Sequence, residues 1–295
     1  MSAYPCTLAT QPPSTPKTTL LFPTQDTLLV VLNNPRGLNC LSTSMHYALH
    51  ALFEWYDNEP SLRCAVITGA GRAFCAGADL KEWNENNAAR AAGKTAGAGD
   101  GRREMPRSGF GGVSRRIGKK PVIGAINGLA FGGGMEMVAN MDLVVAARSA
   151  QFALPEVKRG VVAVAGALPR IVRTLGKPRA MEMALTGRTV GAAEAGAWGL
   201  VNFVTDDAPV DADVSDRPVV KKALEYAKEI AGNSPDSVII SRAGIIEGWE
   251  DGSAEHATQS IVDIYSKRLN EGENIHEGVK AFVEKRAPRW VPSKL

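Results

Sequence analysis

Short apolar runs rich in β-branched residues punctuate the first half of the chain. Residues 27–34 (TLLVVLNN), 63–71 (RCAVITGAG), 120–128 (KPVIGAING) and 142–148 (DLVVAAR) each read as a buried strand bounded by turn residues. Segments with helix-like spacing lie between them, including residues 42–58 (STSMHYALHALFEWYDN) and the stretch that begins near Gly134. Strands alternating with helices predict an α/β core. After about residue 165 the pattern turns helical. PRAMEMALTG carries a helical period that ends at Gly187, a C-cap position, and VGAAEAGAWG predicts a short helix stopped near Gly199. Residues 206–216 (DDAPVDADVSD) form an acidic, proline-containing connector, and long helical segments follow from Arg217 to Arg286. The chain shows no internal repeat.

Two stretches depart from this pattern. Residues 84–118 are rich in Gly, Ala and Arg and predict a loop with helical pieces at either end. Its place between two core strands makes it either a pocket wall or a surface insertion. Residues 1–19 are rich in Pro, Thr and Ser with a single Lys, which suits a flexible arm better than an Arg-rich presequence. The expected division is a flexible arm over 1–26, a catalytic α/β core over 27–205 and a helical oligomerisation region over 206–292. Residues 293–295 then form a targeting tripeptide. Ser293, Lys294 and Leu295 spell S-K-L, an address read by a peroxisomal import receptor, and the preceding APRWVPS reads as extended and accessible. No apolar run approaches the roughly 20 residues of a membrane helix, and no secretory h-region is present.

Composition narrows the chemistry. With 295 residues, 44% hydrophobic and 22% charged, the chain can bury a large core in one domain or two smaller ones. The 34 Lys and Arg against 31 Asp and Glu give a net charge of +3, too mild for a nucleic-acid footprint. A few positive charges can still meet the phosphates of a small ligand. The four cysteines show no Cys-x-x-Cys spacing and the four histidines no ligand cluster, so reduced thiols in an intracellular protein and no metal are expected. Cys75 follows Phe74 in a glycine-rich turn, but no sequence feature supplies it with a base.

VITGAGRAF looks at first like a dinucleotide-binding fingerprint. The third small residue should fall at position 74, where Phe74 would obstruct helix–strand packing, and no acidic residue closes a following strand. A nicotinamide dehydrogenase is therefore disfavoured. The run continues as AFCAGADLKEW, whose small Ala76, Gly77 and Ala78 leave the backbone open to a ligand. Asp79, Leu80 and Lys81 then begin a helix that aims free N–H groups outward. About fifty residues later another strand runs into Gly132, Gly133 and Gly134 and then a helix. Two such turns side by side can present two N–H donors to one developing oxyanion. Glu136 lies three residues after Gly133, where a helix-dipole or capping role is the plain alternative to chemistry. Glu156, in QFALPEVKRG, is alone an ordinary loop acid. Two glutamates flanking a reaction centre can instead divide general acid–base work. Spacing alone does not establish that they meet.

Taken together, NNPRGLNCLS, VITGAGRAFCAGADLKEW, KPVIGAINGLAFGGGMEMVANMDLVVAARSAQFALPEVKRGV, GKPRAMEMALTGRTVGAAEAGAWGLVN and HEGVKAFVEKRAPRW resemble the crotonase, or enoyl-CoA hydratase/isomerase, superfamily in family order. The likeness covers roughly residues 27–290. It implies a spiral core of repeated ββα turns and a C-terminal helical region used in trimer packing, hence a homotrimer or homohexamer. It implies a CoA thioester substrate and no cofactor beyond the CoA that the substrate carries. The implied oxyanion donors are the backbone N–H groups of Ala78 and Gly133. Ala76, Asp79, Leu80 and Lys81 fall where the family lines its CoA site, and Arg36 and Leu38 lie in the matching N-terminal segment. Phe282 and Lys285 match a C-terminal helix that can approach the CoA of a neighbouring subunit.

Glu136 and Glu156 occupy the two hydratase positions, which implies reversible syn hydration of a 2-enoyl-CoA. Glu136 would deprotonate water for attack at Cβ, and Glu156 would protonate Cα. Double-bond isomerisation, dehydration of a specialised hydroxyacyl-CoA and a non-catalytic CoA-ester-binding scaffold are the alternatives. Ala163 and Val164 stand where many hydratases have a Pro-Gly pair, and Leu154 stands where some relatives have a polar residue. With the enlarged 84–118 segment, these departures leave the acyl group open.

Overall fold

Leucine and β-branched runs without polar interruption suit strands covered on both faces. A computed structural model describes residues 8–91, 105–209 and 212–295. Its first elements are β1 (Thr18–Thr24), β2 (Thr27–Leu32), α1 (Thr43–Asn58), β3 (Cys64–Gly69), β4 (Ala73–Cys75) and α2 (Leu80–Ala91). Next come β5 (Val122–Ile126), β6 (Leu129–Phe131), α3 (Gly133–Val138), β7 (Leu143–Ala147) and β8 (Gln151–Ala153). Then follow α4 (Ala167–Leu175), α5 (Lys177–Thr186), β9 (Val190–Gly191), α6 (Ala192–Ala197) and β10 (Phe203–Thr205). The chain closes with α7 (Pro218–Ala231), α8 (Pro235–Glu250), α9 (Ala254–Asn270) and α10 (Glu273–Val283).

The strands form two sheets. The larger has the order β1-β2-β3-β5-β7-β10, parallel throughout except for the antiparallel β1–β2 pair. The smaller has the order β4-β6-β8-β9, with only β8–β9 antiparallel. Three successive strand pairs, β3/β4, β5/β6 and β7/β8, send their first strand to the large sheet and their second to the small one. This is the expected α/β spiral, and it stacks the exits of β4, β6 and β8 side by side.

Period-two alternation divides the core. Leu28, Val30 and Leu32 face the interior shared with α1 and the small sheet, whereas Leu29 and Val31 face the side covered by α7. α1 buries Met45, His46, Leu49, Leu52, Phe53 and Tyr56, a helical spacing of three and four. The Tyr56 hydroxyl donates to the Pro121 carbonyl at 2.8 Å, which satisfies it inside the core. Phe74, the residue that breaks the dinucleotide pattern, is fully buried.

The N-terminal expectation needs correction. Thr18–Thr24, placed in the flexible 1–26 arm, is an edge strand with Thr19 opposite Val31 and Leu21 opposite Leu29. Its TTLLFPT run packs Leu20 and Phe22 onto one core layer and Leu21 onto the other. The Pro- and Thr-rich flank hides that alternation in the sequence. Further upstream, the buried Glu59 carboxylate accepts the Ala9 and Thr10 N–H groups, each at 3.0 Å.

The region after residue 206 also has a finer division than expected. α7 covers the outer face of the large sheet through Val219, Val220, Ala223 and Ala227, so it belongs to the core packing. In the 84–118 segment, α2 and a 3-10 turn at Phe110–Gly112 supply ordered pieces, and residues 92–104 lie outside the described residues. The tail is extended but held. Trp290 Nε1 donates to the Gly232 carbonyl at 2.8 Å, Ser293 Oγ donates to Asp236, Lys294 pairs with Glu273 at 2.5 Å, and Lys119 Nζ donates to the Leu295 carbonyl at 2.9 Å. The accessibility expected of this segment is thus reduced by four side-chain contacts.

Candidate active site

Backbone geometry at two strand exits builds the site. β4 and β6 pair in parallel, with Cys75 opposite Ala130. Beyond β4, Ala76 N–H donates to the Leu38 carbonyl at 3.0 Å. Leu41 then bridges the chain, donating to the Gly77 carbonyl at 3.0 Å and accepting Asp79 N–H at 3.0 Å. A parallel bridge of this kind turns the intervening Ala78 N–H to the opposite edge. Among the described residues that N–H has no acceptor.

Beyond β6, Gly132 takes φ +55° and donates its N–H to the Ala153 carbonyl at 3.0 Å. Most side chains resist that backbone region. α3 starts at once, and Gly133 N–H is one of the first-turn donors that a helix leaves without an internal acceptor. It too has no protein acceptor among the described residues. The two turns touch, since a Cβ on Gly77 would lie 3.4 Å from Gly133 N. Gly134 answers a different need: a Cβ there would lie 2.0 Å from the Cys75 carbonyl oxygen.

α3 is short and wholly buried, so it carries Glu136 inward rather than to solvent. Glu136 is 3% exposed, and its two carboxylate oxygens accept Ala165 N–H at 2.9 and 3.1 Å. Burial pushes its pKa up to about 7, against the pull of the Ala165 N–H; the Glu156 charge adds to the rise and Ala167 N–H opposes it. Glu156 sits on the 3-10 turn Pro155–Arg159 after β8. Its Oε1 lies 3.2 Å from the Cβ position of Gly132, so the carboxyl faces the glycine turn. Its Oε2 is buried without a hydrogen-bond partner among the described residues, and burial raises its pKa. An unsatisfied buried oxygen is costly unless a ligand or a reaction makes use of it.

The predicted CoA positions divide into two groups. Arg36 is exposed on the 3-10 turn Pro35–Gly37 and Leu38 follows it. Ala76, Ala78, Asp79, Leu80 and Lys81 are on or beside the β4 exit. Asp79 Oδ1 accepts Lys81 N–H at 3.0 Å and so caps α2, while Leu80 is 54% exposed. These residues are brought together by the Leu38–Ala76 and Leu41–Asp79 hydrogen bonds. Phe282 and Lys285 are exposed at and just beyond the end of α10 and make no hydrogen bond or ion pair with that turn among the described residues. Val164 is exposed, whereas Leu154 and Ala163 are buried. Cys75 is fully buried, and burial pushes its thiol up to about 12, which rules it out as a neutral-pH nucleophile. Among the described residues no group of three or more His, Cys, Asp or Glu is placed to hold a metal ion.

Sequence reasoning passed over Phe110 and Ala165. The Phe110 ring occupies the space beside Gly133, where a Cβ would meet Cε2 at 2.3 Å. The ring lies 4.4 Å from that of His46, whose Nδ1 accepts Gly111 N–H at 3.1 Å. Burial pushes His46 down to about 4, so it is neutral at pH 7 and able to accept. The available signal for Phe110 was one aromatic residue among glycines in a biased segment. Ala165 acts through its backbone and gave none.

Two unengaged N–H groups adjoin a pair of carboxyls whose pKa values are raised. The donors suit an oxygen that gains negative charge, and the carboxyls suit proton transfer at neighbouring atoms.

The chain is similar to known proteins along most of its length. The enoyl-CoA hydratase/isomerase family model matches residues 24–292. The chain is 53% identical over 289 residues to a mevalonyl-coenzyme A hydratase of Beauveria bassiana, covering 98% of this chain and 100% of that protein. A mevalonyl-coenzyme A hydratase of Aspergillus fumigatus is 49% identical, covering 93% and 94%. The crystal structure of an enoyl-CoA hydratase from Bacillus anthracis gives a TM-score of 0.79 at 32% identity, over 94% of this chain and 100% of that one.

Proposed function

Since the chain belongs to the enoyl-CoA hydratase/isomerase family and is an enzyme of that family, we propose that it adds water reversibly, in syn fashion, across the 2,3 double bond of an acyl-CoA. The observation that carries this reading is the pair Glu136 and Glu156 beside the free Ala78 and Gly133 N–H groups. In the hydration direction the thioester oxygen accepts from both N–H groups, each worth about 3 kcal/mol by analogy with acyl-transfer oxyanion holes. Glu136 takes a proton from water as its oxygen bonds to C3. Electrons move from the double bond to the thioester oxygen, then return as Glu156 delivers a proton to C2. Dehydration runs the same steps backwards.

For the substrate we propose mevalonyl-CoA and its 2,3-dehydrated partner, on the strength of the two mevalonyl-coenzyme A hydratases among the relatives. Mevalonyl-CoA offers a C3 hydroxyl to expel and a C2 proton to remove. Mevalonyl-CoA, carnitinyl-CoA, crotonyl-CoA and a 3-enoyl-CoA assayed side by side test both parts. Mevalonyl-CoA should be preferred by at least about 10-fold in kcat/KM, the scale on which one alkyl group is discriminated. A preference for crotonyl-CoA or carnitinyl-CoA rejects the substrate, and isomerisation faster than hydration rejects the reaction. Tight binding of every thioester without turnover supports a scaffold instead.

The proposed roles also fix the pH profile. Hydration starts with Glu136 ionised and Glu156 protonated; dehydration starts with the reverse. Both states carry one proton on the pair, and the overall reaction releases none. The kcat/KM profile should therefore be bell-shaped and the same in the two directions, with one limb near the Glu136 value of about 7. Profiles that differ between directions would contradict the scheme.

Two further proposals extend this reading. Exposed Val162, Val164, Leu168 and Val172 support a homotrimer or homohexamer; a monomer by light scattering at assay concentration rejects it. Ser293, Lys294 and Leu295 support peroxisomal import. A receptor reading them would first have to release the Asp236, Glu273 and Lys119 contacts. Unchanged import of a tagged chain lacking residues 293–295 rejects that assignment.

A further inference from the structure

We propose that Ser114 is a positioning residue whose hydroxyl ties the Phe110 turn beside Gly133 to the Ala165 residue that holds Glu136. This rests on the reading of Glu136 given above. Ser114 is fully buried. Its Oγ accepts Phe110 N–H at 2.8 Å and donates to the Ala165 carbonyl at 2.6 Å. One hydroxyl has the donor and the lone pairs to do both at once.

The need for this hydrogen bond arises at the start of α4. Ala165 precedes the helix N-cap, Gly166, so its buried carbonyl lies outside the intrahelical ladder, whose first acceptor is the Gly166 carbonyl. Ser114 supplies its donor. On the other side of Ala165, its own N–H is spent on both Glu136 oxygens. Arg170 Nη1 donates to the next carbonyl, that of Gly166, at 3.1 Å, and Arg170 Nε donates to Asn140 Oδ1 at 2.6 Å. These contacts steady the start of α4 but leave the Ala165 carbonyl to Ser114. Without the hydroxyl, Ala165 loses that anchor, and the same change frees the Phe110 N–H. The oxyanion side and the carboxylate side of the site thus share one buried atom.

Ser114→Ala, Ser114→Thr and Glu136→Gln, made in the full chain and assayed on one CoA thioester, test the proposal. The alanine variant should lose about 10-fold in kcat, a modest misplacement penalty, while KM stays within roughly twofold. Glu156 is the titratable group that faces Glu136. With the Ala165 N–H displaced, ionised Glu136 loses a donor, so the basic limb of the kcat/KM profile should move to higher pH. The threonine variant keeps a hydroxyl and should restore the wild-type limb and most of kcat. A purely structural serine would lower the melting temperature and leave the limb in place, and that result overturns the proposal. So does a folded threonine variant that behaves like alanine. If the threonine variant does not fold, the limb of the alanine variant decides alone. Wild-type activity in Glu136→Gln would reject the catalytic reading itself; an inactive Glu136→Gln with an unmoved limb in Ser114→Ala rejects only the role of Ser114.

Discussion

Glu136→Gln is expected to lower kcat by about 100- to 10,000-fold, the usual share of a general acid–base group. Glutamine matches the carboxyl in size, and its carbonyl oxygen can still accept Ala165 N–H, so the local fold has no reason to change. What is lost is the capacity to take a proton from water. Stability supplies an independent check. Burial raises the folded pKa of Glu136 to about 7 from the ordinary carboxyl value of 4.5. A carboxyl raised in this way favours the folded state only while protonated. Its contribution is present below the unfolded value and is lost as pH rises toward 7. The melting temperature of Glu136→Gln relative to wild type should therefore climb between about pH 4.5 and 7 and level off above. Near-wild-type kcat would remove Glu136 from the chemistry. A melting difference that does not change with pH would show that its carboxyl is not held protonated by burial.

Glu156→Gln should cost a similar 100- to 10,000-fold, but it should leave a different remnant. In the dehydration direction Glu156 removes the C2 proton, and Glu136 serves the departing hydroxyl. Exchange of the C2 proton with deuterated solvent should thus persist in Glu136→Gln and vanish in Glu156→Gln. The double variant should be little worse than either single one, because the two groups act in one step sequence and their losses do not add. Exchange that survives in Glu156→Gln would give the C2 proton to another base. The buried Glu156 Oε2 without a partner is consistent with an atom kept for a reacting proton.

The large-sheet strands β2, β3, β5 and β7 were legible because each is a run of apolar residues between turns. β4, β6 and β8, whose exits carry the site, are three residues each and too short to show a pattern. β1 was not legible either, because Thr18 to Phe22 pack only at a sheet edge and sit beside a Pro- and Thr-rich flank. The oxyanion turns were legible as small-residue runs after strands. The proximity of Glu136 to Glu156 was not, since it depends on the register of β6 against β8. That register places Phe131 opposite Ala153 and joins Gly132 to Ala153 through a hydrogen bond. Twenty residues of chain separation carry no record of it. Ala165 contributes a backbone N–H, which any residue except proline could supply. Ser114 is one serine in an arginine- and glycine-rich stretch, and its meaning appears only when the Ala165 carbonyl is seen to lie outside the α4 ladder.

The oxyanion donors at Ala78 and Gly133 belong to the main chain, and this has an evolutionary consequence. No replacement short of proline deletes either N–H; any other can only push it aside, as a Cβ on Gly133 would by striking the Phe110 ring. The glutamates have no such protection, since one base change can remove an acid. Natural variation in such a scaffold should thus fall on the proton-transfer groups and the acyl wall. The enolate-holding end should persist through changes of reaction. Isolating its contribution calls for chemical synthesis, replacing the Gly133 amide by an ester so that one N–H is removed and no side chain is disturbed.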